Sequence, residues 1–405
     1  MASEYDGKPE SCGTRLFYAG LPTHFCQMIC LKSSPRAIPS FRRGPSQHNL
    51  HICREARSNP AHFATESLQG LPALRQSVPR LRIVLCYPVD DRHLRQIQQA
   101  CPSAELVDAG QDRIAEELPS ADIFCGHAKV PVPWNETIAA GRLRWIQSSA
   151  AGLDHCLVPS VIESDVLVTS ASGVLADQVA EQALALATAC TRRIPLFLAQ
   201  QHRREFIRQP TRDLPGATAL IVGFGGNGRR LAEVLRPWKT RLLATDYFPD
   251  QPATGLDQLA GPDKFLRLLP EADLIFLAAP LTPQTRGLID ATAVSQLKPG
   301  SILINVARGG LLVEAAVVEA LSSGRLDSAG FDVTPEEPPA PDSPLWTAPN
   351  LIITPHVGGQ SAQRIDRMTD LFCANLVRYL DGRPLINAVD KQLGFPSPDG
   401  PGLPF

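Results

Sequence analysis

The chain has 405 residues, which is enough for two domains of ordinary size. Hydrophobic residues make up 44% and charged residues 20%, values typical of a globular protein with a substantial core. A net charge of −2 provides no electrostatic basis for binding nucleic acid or an anionic membrane surface, and no apolar run reaches the roughly 18–20 residues of a transmembrane helix.

The ten cysteines are scattered along the chain, and none of them forms a CxxC motif. A chain of this length does not need disulfide bonds to fold, so we expect reduced thiols and no bound metal. The first residues also lack the basic start, apolar centre and small-residue cleavage site of a secretory signal. We therefore expect a cytoplasmic protein.

Residues 1–80 differ in composition from the rest of the chain. They carry a formal charge of +5, whereas the remaining 325 residues carry −7. Proline, serine and arginine interrupt this segment, and no helical or strand period persists in it. We interpret it as a disordered extension, or as the result of a start codon placed too far upstream, without a catalytic role.

An alternation of strands and helices begins at RLRIVLCYP (80–88), a buried strand that is followed by the helical pattern DDRHLRQIQQACP (90–102). Further strand candidates are AELVDA (104–109), ADIFCG (121–126), LRWIQSSA (143–150) and SDVLVTSAS (164–172). This alternation predicts an α/β lobe with a parallel sheet over residues 81–182. An alanine-rich apolar helix over 176–193 is suited to close packing between lobes.

A second alternating series predicts a nucleotide-binding α/β lobe over residues 183–360. Its strand candidates are ATALIVG (217–223), TRLLATD (240–246), ADLIFLAA (272–279), SILINVA (301–307), SAGFDV (328–333) and LIITP (351–355). Helical patterns occur over 284–300, over 311–326 and again over 361–382. We expect residues 361–392 to return to the first lobe, and 393–405 to be a disordered tail rich in proline and glycine.

The motif GFGGNG places Gly223, Gly225 and Gly228 in a G-x-G-x-x-G pattern between an apolar strand and a helix. The first glycine allows a tight turn, the second lets the backbone approach a pyrophosphate, and the third lets the helix pack on the strand. Asp246 ends the next strand, where its carboxylate could accept hydrogen bonds from ribose hydroxyls. Its charge would repel a 2′-phosphate, and the following YFPD contains no arginine, so NAD is favoured over NADP.

Three later strand ends carry groups suited to redox chemistry between a carbonyl and an alcohol: Arg308, Glu337 and His356. In open α/β sheets ligands bind at the carboxyl ends of strands, so these side chains could converge on one crevice. Histidine suits proton transfer, a carboxylate can orient it, and arginine can hold a substrate carboxylate through two hydrogen bonds. Taken singly, residues of these types are more often structural than functional, and only one of the neighbouring carboxylates Glu336 and Glu337 need take part.

Several motifs together resemble the D-isomer-specific 2-hydroxyacid dehydrogenase family, which includes formate and glycerate dehydrogenases. They are GFGGNG, APLTPQTRGLID, LKPGSILINVARGGLLVEAAVVEAL, GFDVTPEEP and PNLIITPHVGG, preceded by LRWIQSSAAGLDH and LVTSASGVLADQVAEQALAL. The resemblance covers about residues 81–390. It implies a two-lobed α/β fold, in which a Rossmann NAD-binding domain is inserted in a flavodoxin-like substrate domain.

The resemblance also implies roles for individual residues. His356 would be the acid/base, Glu337 its partner, and Arg308 the anchor of the substrate carboxylate. Substrate contacts are also implied for the backbone amides around Ala151, Gly152 and Leu153, and His127 and Lys129 are the candidate cations for a substrate phosphate. The NAD site would be lined by Gly223, Gly225, Gly226, Asn227, Gly228, Asp246, Pro280, Leu281, Thr282, Val306, Ala307, Arg308, Asp332, His356 and Gly358.

The expected activity is NAD(H)-dependent interconversion of a 2-oxo acid and its D-2-hydroxy acid by a homodimer. Family members that act on 3-phosphoglycerate typically carry an arginine where this chain has FCGHAKV (124–130), and we expect no C-terminal regulatory domain. Both features favour glyoxylate or hydroxypyruvate, although Lys129 leaves D-3-phosphoglycerate open. An NAD-sensing regulatory protein on the same fold is the alternative, because a fold does not settle a function.

Overall fold

The computed structural model describes residues 80–403, so the predicted extension, apart from Arg80, lies outside the described residues. The strands in chain order are β1 (Arg82–Cys86), β2 (Glu105–Asp108), β3 (Ile123–Gly126), β4 (Trp145–Ser148), β5 (Leu167–Thr169), β6 (Thr218–Val222), β7 (Arg241–Thr245), β8 (Gln258–Ala260), β9 (Leu274–Leu277), β10 (Ser301–Asn305), β11 (Leu326–Phe331), β12 (Leu351–Ile353), β13 (Val389–Asp390) and β14 (Phe395–Pro396). The α-helices are α1 (Asp91–Ala100), α2 (Ile114–Glu117), α3 (Trp134–Ala139), α4 (Pro159–Glu163), α5 (Ala176–Thr191), α6 (Ile194–His202), α7 (Gly226–Leu235), α8 (Phe265–Leu268), α9 (Ala291–Gln296), α10 (Glu314–Ser322) and α11 (Arg364–Leu380).

The first five strands form one sheet in the order β2-β1-β3-β4-β5. Every pairing in it is parallel. The inner strands β1, β3 and β4 are almost entirely buried, because a parallel sheet is covered on both faces. This order is the flavodoxin-like one, and it confirms the fold expected for the first lobe.

Seven strands form a second parallel sheet in the order β12-β11-β10-β9-β6-β7-β8. The chain builds outward from β6 in one direction through β7 and β8, then crosses back to place β9 on the other side of β6. This is the Rossmann order, extended by one strand, and the reversal between β6 and β9 opens a crevice at the carboxyl ends of the strands. Strand β8 has three residues, of which only Ala260 is buried, and the hydrophobic pattern did not predict it.

Helix α11 returns to the first lobe and packs against its sheet. Met368 and Phe372 lie in one buried cluster with Ile83 and Trp145, and the rings of Trp145 and Phe372 are 5.5 Å apart. The Rossmann domain is therefore inserted within the sequence of the first lobe, as expected.

Helix α5 connects the two lobes, and the predicted boundary between residues 182 and 183 falls inside it. Its small residues Ala180, Ala183 and Ala187 are buried in a cluster with Leu231 of α7, which places the helix on the second sheet. Alanines allow this close approach because they have no side chain beyond Cβ. The hydrophobic pattern of α5 does not show where the first lobe ends, because the helix packs on the second sheet while its chain joins both lobes.

The tail differs from the expectation of disorder over 393–405. Gly394, at φ +83°, makes the turn that pairs β14 with β13. Phe395 then packs its ring 5.7 Å from Tyr247 and 6.1 Å from Phe248 of the Rossmann domain. The packing of Phe395 against these two rings orders the chain around it. A local pattern rich in proline and glycine contains no information about this distant contact. The last two residues lie outside the described part.

The helix expected over 284–300 is shorter in the structure, where only α9 forms. Gly287 adopts φ +64°, which interrupts a helix, and Asp290 caps α9 by accepting a hydrogen bond from the Ala293 N–H. In residues 80–403, no helix is both long enough and apolar enough to cross a membrane.

Candidate functional site

His356 lies one turn beyond β12, at the carboxyl edge of the Rossmann sheet. Its Nδ1 is 2.7 Å from Oε2 of Glu337, so the two side chains form a hydrogen-bonded pair. The neighbouring Glu336 takes part through its backbone carbonyl, which accepts a hydrogen bond from the Thr334 hydroxyl. The structure thus distinguishes the two adjacent carboxylates and brings Glu337 to the histidine.

The backbone of His356 is held in the left-handed region, at φ +53°. Its N–H donates to the Asp332 carbonyl at 2.8 Å. The Asp332 carboxylate, which is almost completely buried, accepts from the N–H groups of Val357 and Gly358 and from the Thr354 hydroxyl. Asp332 therefore braces the loop that carries His356.

Arg308 lies on a turn that follows β10. The fully buried Asn305 shapes this turn: its side-chain amide donates to the Arg308 carbonyl and its side-chain oxygen accepts from the Ala307 N–H. A Cβ at Gly309 would lie 1.9 Å from the Thr334 carbonyl, so the turn is pressed against the segment that leads to Glu337. Through this contact the arginine and the histidine–glutamate pair share one edge of the sheet.

The guanidinium of Arg308 reaches across to the loop of the first lobe after β4. A Cβ at Gly152 would lie 1.8 Å from its Nη2, so the group rests directly on that glycine. Its Nε donates to Asp154 at 3.2 Å, and its Nη1 donates to the Ala307 carbonyl at 2.8 Å. Of the predicted substrate loop, Gly152 thus contacts Arg308, whereas the Leu153 side chain points into the core.

Two histidines lie beside this loop. The sequence analysis considered His127 as a candidate cation for a phosphate and assigned His155 no role. The rings of His127 and His155 stack with centroids 3.9 Å apart. Burial lowers the pKa of His127, and burial followed by the proximity of His127 lowers the pKa of His155 to about 3. Both imidazoles are therefore uncharged at neutral pH. In the sequence, Asp154 and His155 directly follow AAGL (150–153) of the predicted substrate loop, and this position was the available signal that they lie near the site.

The glycine-rich loop has the shape that a dinucleotide requires. Gly223 adopts φ +96°, and a Cβ there would lie 2.6 Å from Ala279. A Cβ at Gly228 would lie 2.0 Å from the Gly223 carbonyl, which shows how closely α7 approaches β6. At Gly225 a Cβ would meet no described atom within 4 Å, and no side chain of residues 80–403 caps the start of α7. The first N–H groups of this helix therefore have no side-chain cap among the described residues, as a pyrophosphate site needs.

Asp246 lies at the end of β7 beside this loop, as the sequence predicts. One carboxylate oxygen accepts from the Phe224 N–H at 2.6 Å and the other accepts from the Phe248 N–H at 2.9 Å. The carboxylate supports the loop through these two bonds, and its remaining lone pairs could accept further hydrogen bonds. The guanidinium of Arg229 lies 4.8 Å over the Phe224 ring and donates to the Pro252 carbonyl, so a cation stands nearby although YFPD contains none.

The remaining predicted residues are spread over the same edge of the sheet. Pro280, Leu281 and Thr282 follow β9, and Leu281 packs against Gly310. Val306 and Ala307 follow β10 and are largely buried. Lys129 lies in the first lobe, where its side chain is exposed and its N–H donates to Gln111. The site thus combines a hydrogen-bonded histidine–glutamate pair, an arginine and a glycine-rich loop.

Comparisons with known proteins agree with this geometry. Residues 184–358 match the family described as D-isomer specific 2-hydroxyacid dehydrogenase, NAD binding domain. A glycerate dehydrogenase of Methylorubrum extorquens is 30% identical over 283 residues, which cover 67% of this chain and 87% of the relative. A D-isomer specific 2-hydroxyacid dehydrogenase family protein of Aeromonas salmonicida has a solved structure with 30% identity and a TM-score of 0.66, covering 77% of this chain and 99% of that one. The chain belongs to the D-isomer-specific 2-hydroxyacid dehydrogenase family.

A longer relative is similar over part of its length. The D-3-phosphoglycerate dehydrogenase of Mycobacterium tuberculosis is 34% identical over 262 residues, which are 64% of this chain and 49% of that enzyme. The chain therefore spans about half the length of this relative.

Proposed function

We propose that the protein is a dehydrogenase that interconverts a 2-oxo acid and its D-2-hydroxy acid with NAD(H). The observation that carries this proposal is the 2.7 Å pair of His356 and Glu337, at the same sheet edge as Arg308 and the glycine-rich loop. A reaction between a carbonyl and an alcohol needs a proton donor or acceptor, a substrate anchor and a redox cofactor, and this edge offers a group for each.

The chain's own residues divide the work as follows. Arg308 and the backbone amides around Gly152 hold the substrate carboxylate between the lobes. His356 delivers a proton to the substrate oxygen during reduction and removes it during oxidation, while Glu337 fixes the orientation of its imidazole. When bound, a nicotinamide dinucleotide supplies or accepts the hydride. The residues of the loop from Gly223 to Gly228 would hold its pyrophosphate and Asp246 would hold its ribose.

The proposed cofactor is NAD rather than NADP. Asp246 places a carboxylate at the end of β7, where it would repel a ribose 2′-phosphate, and this carboxylate is supported by two backbone N–H groups. Arg229 is the nearby cation, and its guanidinium is engaged with the 251–252 segment. This engagement favours the unphosphorylated cofactor.

The proposed substrate is a small unphosphorylated acid of the glyoxylate or hydroxypyruvate type. The segment 124–130 offers the neutral His127 where a phosphate would need a cation, and Lys129 is exposed. The names of the relatives include both a glycerate and a D-3-phosphoglycerate dehydrogenase, so D-3-phosphoglycerate is the substrate to test against.

We also propose a homodimer in the cytoplasm. The Rossmann domain exposes several large apolar side chains on and after α6, namely Ile194, Leu198, Phe206 and Ile207. A cleft of about 670 Å³ on the same domain is lined by Leu184, Thr188, Leu214, Pro215 and Trp238 among others. An apolar surface of this kind, next to a cleft, suits contact with a second copy of the chain.

The test is the oxidation of NADH by the purified full-length chain, followed by near-ultraviolet absorbance. The panel contains glyoxylate, hydroxypyruvate, pyruvate, phenylpyruvate, 2-oxoglutarate and 3-phosphohydroxypyruvate, each repeated with NADPH. We expect one small acid with NADH to be reduced fastest. His356→Gln should cut turnover by about 10²–10⁴-fold while NADH still binds.

The outcomes separate the candidate functions. Fast reduction of 3-phosphohydroxypyruvate alone would replace the substrate and keep the reaction class. No reduction of any acid, by protein shown to bind NADH, would contradict the proposal and favour an NAD-sensing regulatory protein. Near-normal turnover of His356→Gln would remove this histidine from the mechanism.

A further inference from the structure

The hydrogen bonds of Arg308 leave one part of its guanidinium available. Nε is directed at Asp154 and Nη1 at the Ala307 carbonyl. Nη2 lies against Gly152, within the loop whose amides would hold a substrate carboxylate. Two of the three guanidinium nitrogens therefore have acceptors, and among the described residues no hydrogen bond engages Nη2.

Asp154 is itself presented by a well-held turn. The N–H groups of Cys156 and Leu157 donate to the Leu153 carbonyl, and the Leu153 and Cys156 side chains are buried in the core of the first lobe. The next residue, His155, stacks on His127, and its carbonyl accepts a hydrogen bond from the Trp134 indole. Because the turn is held in this way, the first lobe sets the position of the Asp154 backbone, and Arg308 extends to meet its carboxylate.

Asp154 also has no competitor for Arg308. It is the one carboxylate paired with this arginine in the part of the chain that the structure describes. Partial removal from water tends to raise the pKa of the Asp154 carboxyl, but the Arg308 guanidinium, together with the Asp154 N–H and His155, outweighs this and holds the pKa below its usual range. The carboxylate is thus charged at neutral pH, next to two uncharged imidazoles.

We propose that Asp154 is a positioning residue: it fixes the guanidinium of Arg308 across the lobes, so that Nη2 faces the Gly152 loop and can receive the substrate carboxylate. This inference rests on the proposed function. A negative charge beside an anion-binding arginine weakens anion binding by simple repulsion. Bidentate binding of a carboxylate depends on the geometry of the arginine. The presence of Asp154 is explained if orienting the Arg308 guanidinium strengthens substrate binding more than the repulsion weakens it.

The proposal is tested with Asp154→Ala and Asp154→Asn in steady-state assays with NADH and the acid that the wild type reduces fastest. Arg308 would hold the carboxylate equally in the ground state and the transition state, so its misplacement raises KM more than it lowers kcat. For Asp154→Ala we expect KM to rise about tenfold, the effect of one lost charge-assisted hydrogen bond, with kcat within about threefold of wild type. Asp154→Asn keeps an oxygen that accepts from Nε, so it should restore KM to within about threefold of wild type.

Two controls separate positioning from other roles. Asp381 pairs with Arg383 away from the site, and its side-chain exposure of 55% is similar to the 57% of Asp154. Asp381→Ala therefore removes a comparable carboxylate and should leave KM unchanged. In an Arg308→Lys background there is no Nε to orient, so adding Asp154→Ala should change KM by less than about twofold.

Each alternative predicts a different pattern. If the negative charge only weakens anion binding, Asp154→Ala and Asp154→Asn will both lower KM. If the role is only structural, both will lower the melting temperature, and the effect will persist in the Arg308→Lys background. Either pattern, or an unchanged KM in Asp154→Ala, overturns the inference while the wild type remains active. A wild type that reduces no acid in the panel overturns the proposed function, and this inference with it.

Discussion

The Nδ1 atom of His356 lies 2.7 Å from Oε2 of Glu337, although the two residues follow different strands and are 19 positions apart. The pair depends on a second set of contacts, in which the buried Asp332 carboxylate binds the N–H groups on the C-terminal side of the histidine. One carboxylate thus orients the imidazole and another holds its backbone. Proton transfer by His356 would depend on both carboxylates.

The adjacent glutamates provide a matched test of this pair. Glu337→Gln removes the carboxylate that fixes the imidazole, and we expect kcat to fall by about 10–100-fold, the range for loss of a group that orients a catalytic residue. Glu336→Gln, in which only the side chain changes while the backbone carbonyl still accepts from Thr334, should retain kcat within about twofold. Equal effects of the two substitutions on kcat would contradict the assignment.

Gly152→Ala should impair substrate binding without unfolding the protein. The added methyl would lie 1.8 Å from Nη2 of Arg308, but that atom is the end of a flexible side chain and can move aside. We expect KM to rise by about tenfold, because the bidentate geometry is lost, while the melting temperature stays close to that of the wild type. Gly402→Ala, which would meet no described atom within 4 Å, serves as the control. An unchanged KM in Gly152→Ala would place the substrate carboxylate elsewhere.

Asp246 offers a test of cofactor choice that separates its charge from its support of the loop. Asp246→Asn removes the charge and keeps an oxygen that can accept from the Phe224 N–H. We expect the preference for NADH over NADPH, as a ratio of kcat/KM values, to fall by about tenfold or more, since one repulsive contact is lost. Asp246→Ala should in addition weaken NADH itself. If the wild type already prefers NADPH, the argument from Asp246 is wrong.

The buried His155 should make stability depend on pH. Its pKa in the folded protein is about 3, below the ordinary value of 6.5, so as the pH falls below 6.5 the unfolded chain takes up a proton that the folded chain refuses. The contribution of His155 to the free energy of unfolding is therefore complete above pH 6.5 and decreases as the pH falls toward 3. Between pH 7.5 and 5.5 the wild type should lose about 1 kcal/mol of unfolding free energy on this account, measured by urea denaturation.

His155→Gln should remove that part of the decline, and His202→Gln, at an exposed position on α6, should leave it in place. An identical fall in unfolding free energy for the wild type and His155→Gln would show that this histidine is not buried as a neutral group.

The apolar surface on and after α6 predicts the assembly. Phe206 is 99% exposed in the single chain, and we expect it to be covered in a homodimer. Leu198→Asp combined with Phe206→Ser should halve the mass measured by light scattering at micromolar concentration. Leu380→Ser, at an exposed apolar position on α11, should leave the mass unchanged. A wild type with the mass of one chain would contradict the proposed dimer.

Much of the fold could be predicted from short windows of the sequence. A buried parallel strand is a run of apolar residues, so β1, β3, β6, β9 and β10 were visible as such, and the glycine-rich loop was recognised by its place between a strand and a helix. The three groups at the strand ends, Arg308, Glu337 and His356, were predicted to converge because parallel strands end at a common edge. These are local properties, set by hydrophobic periodicity and by the sterics of glycine.

Other contacts between distant parts of the chain were decided by the tertiary structure alone. The partner of Arg308 is Asp154, 154 positions earlier, and no local pattern connects them. Asp332 braces the histidine loop, and Phe395 orders a tail that was expected to be disordered, because each finds a partner from another element. A side chain's neighbours depend on how whole lobes pack, and this long-range packing is the information that a single sequence does not display.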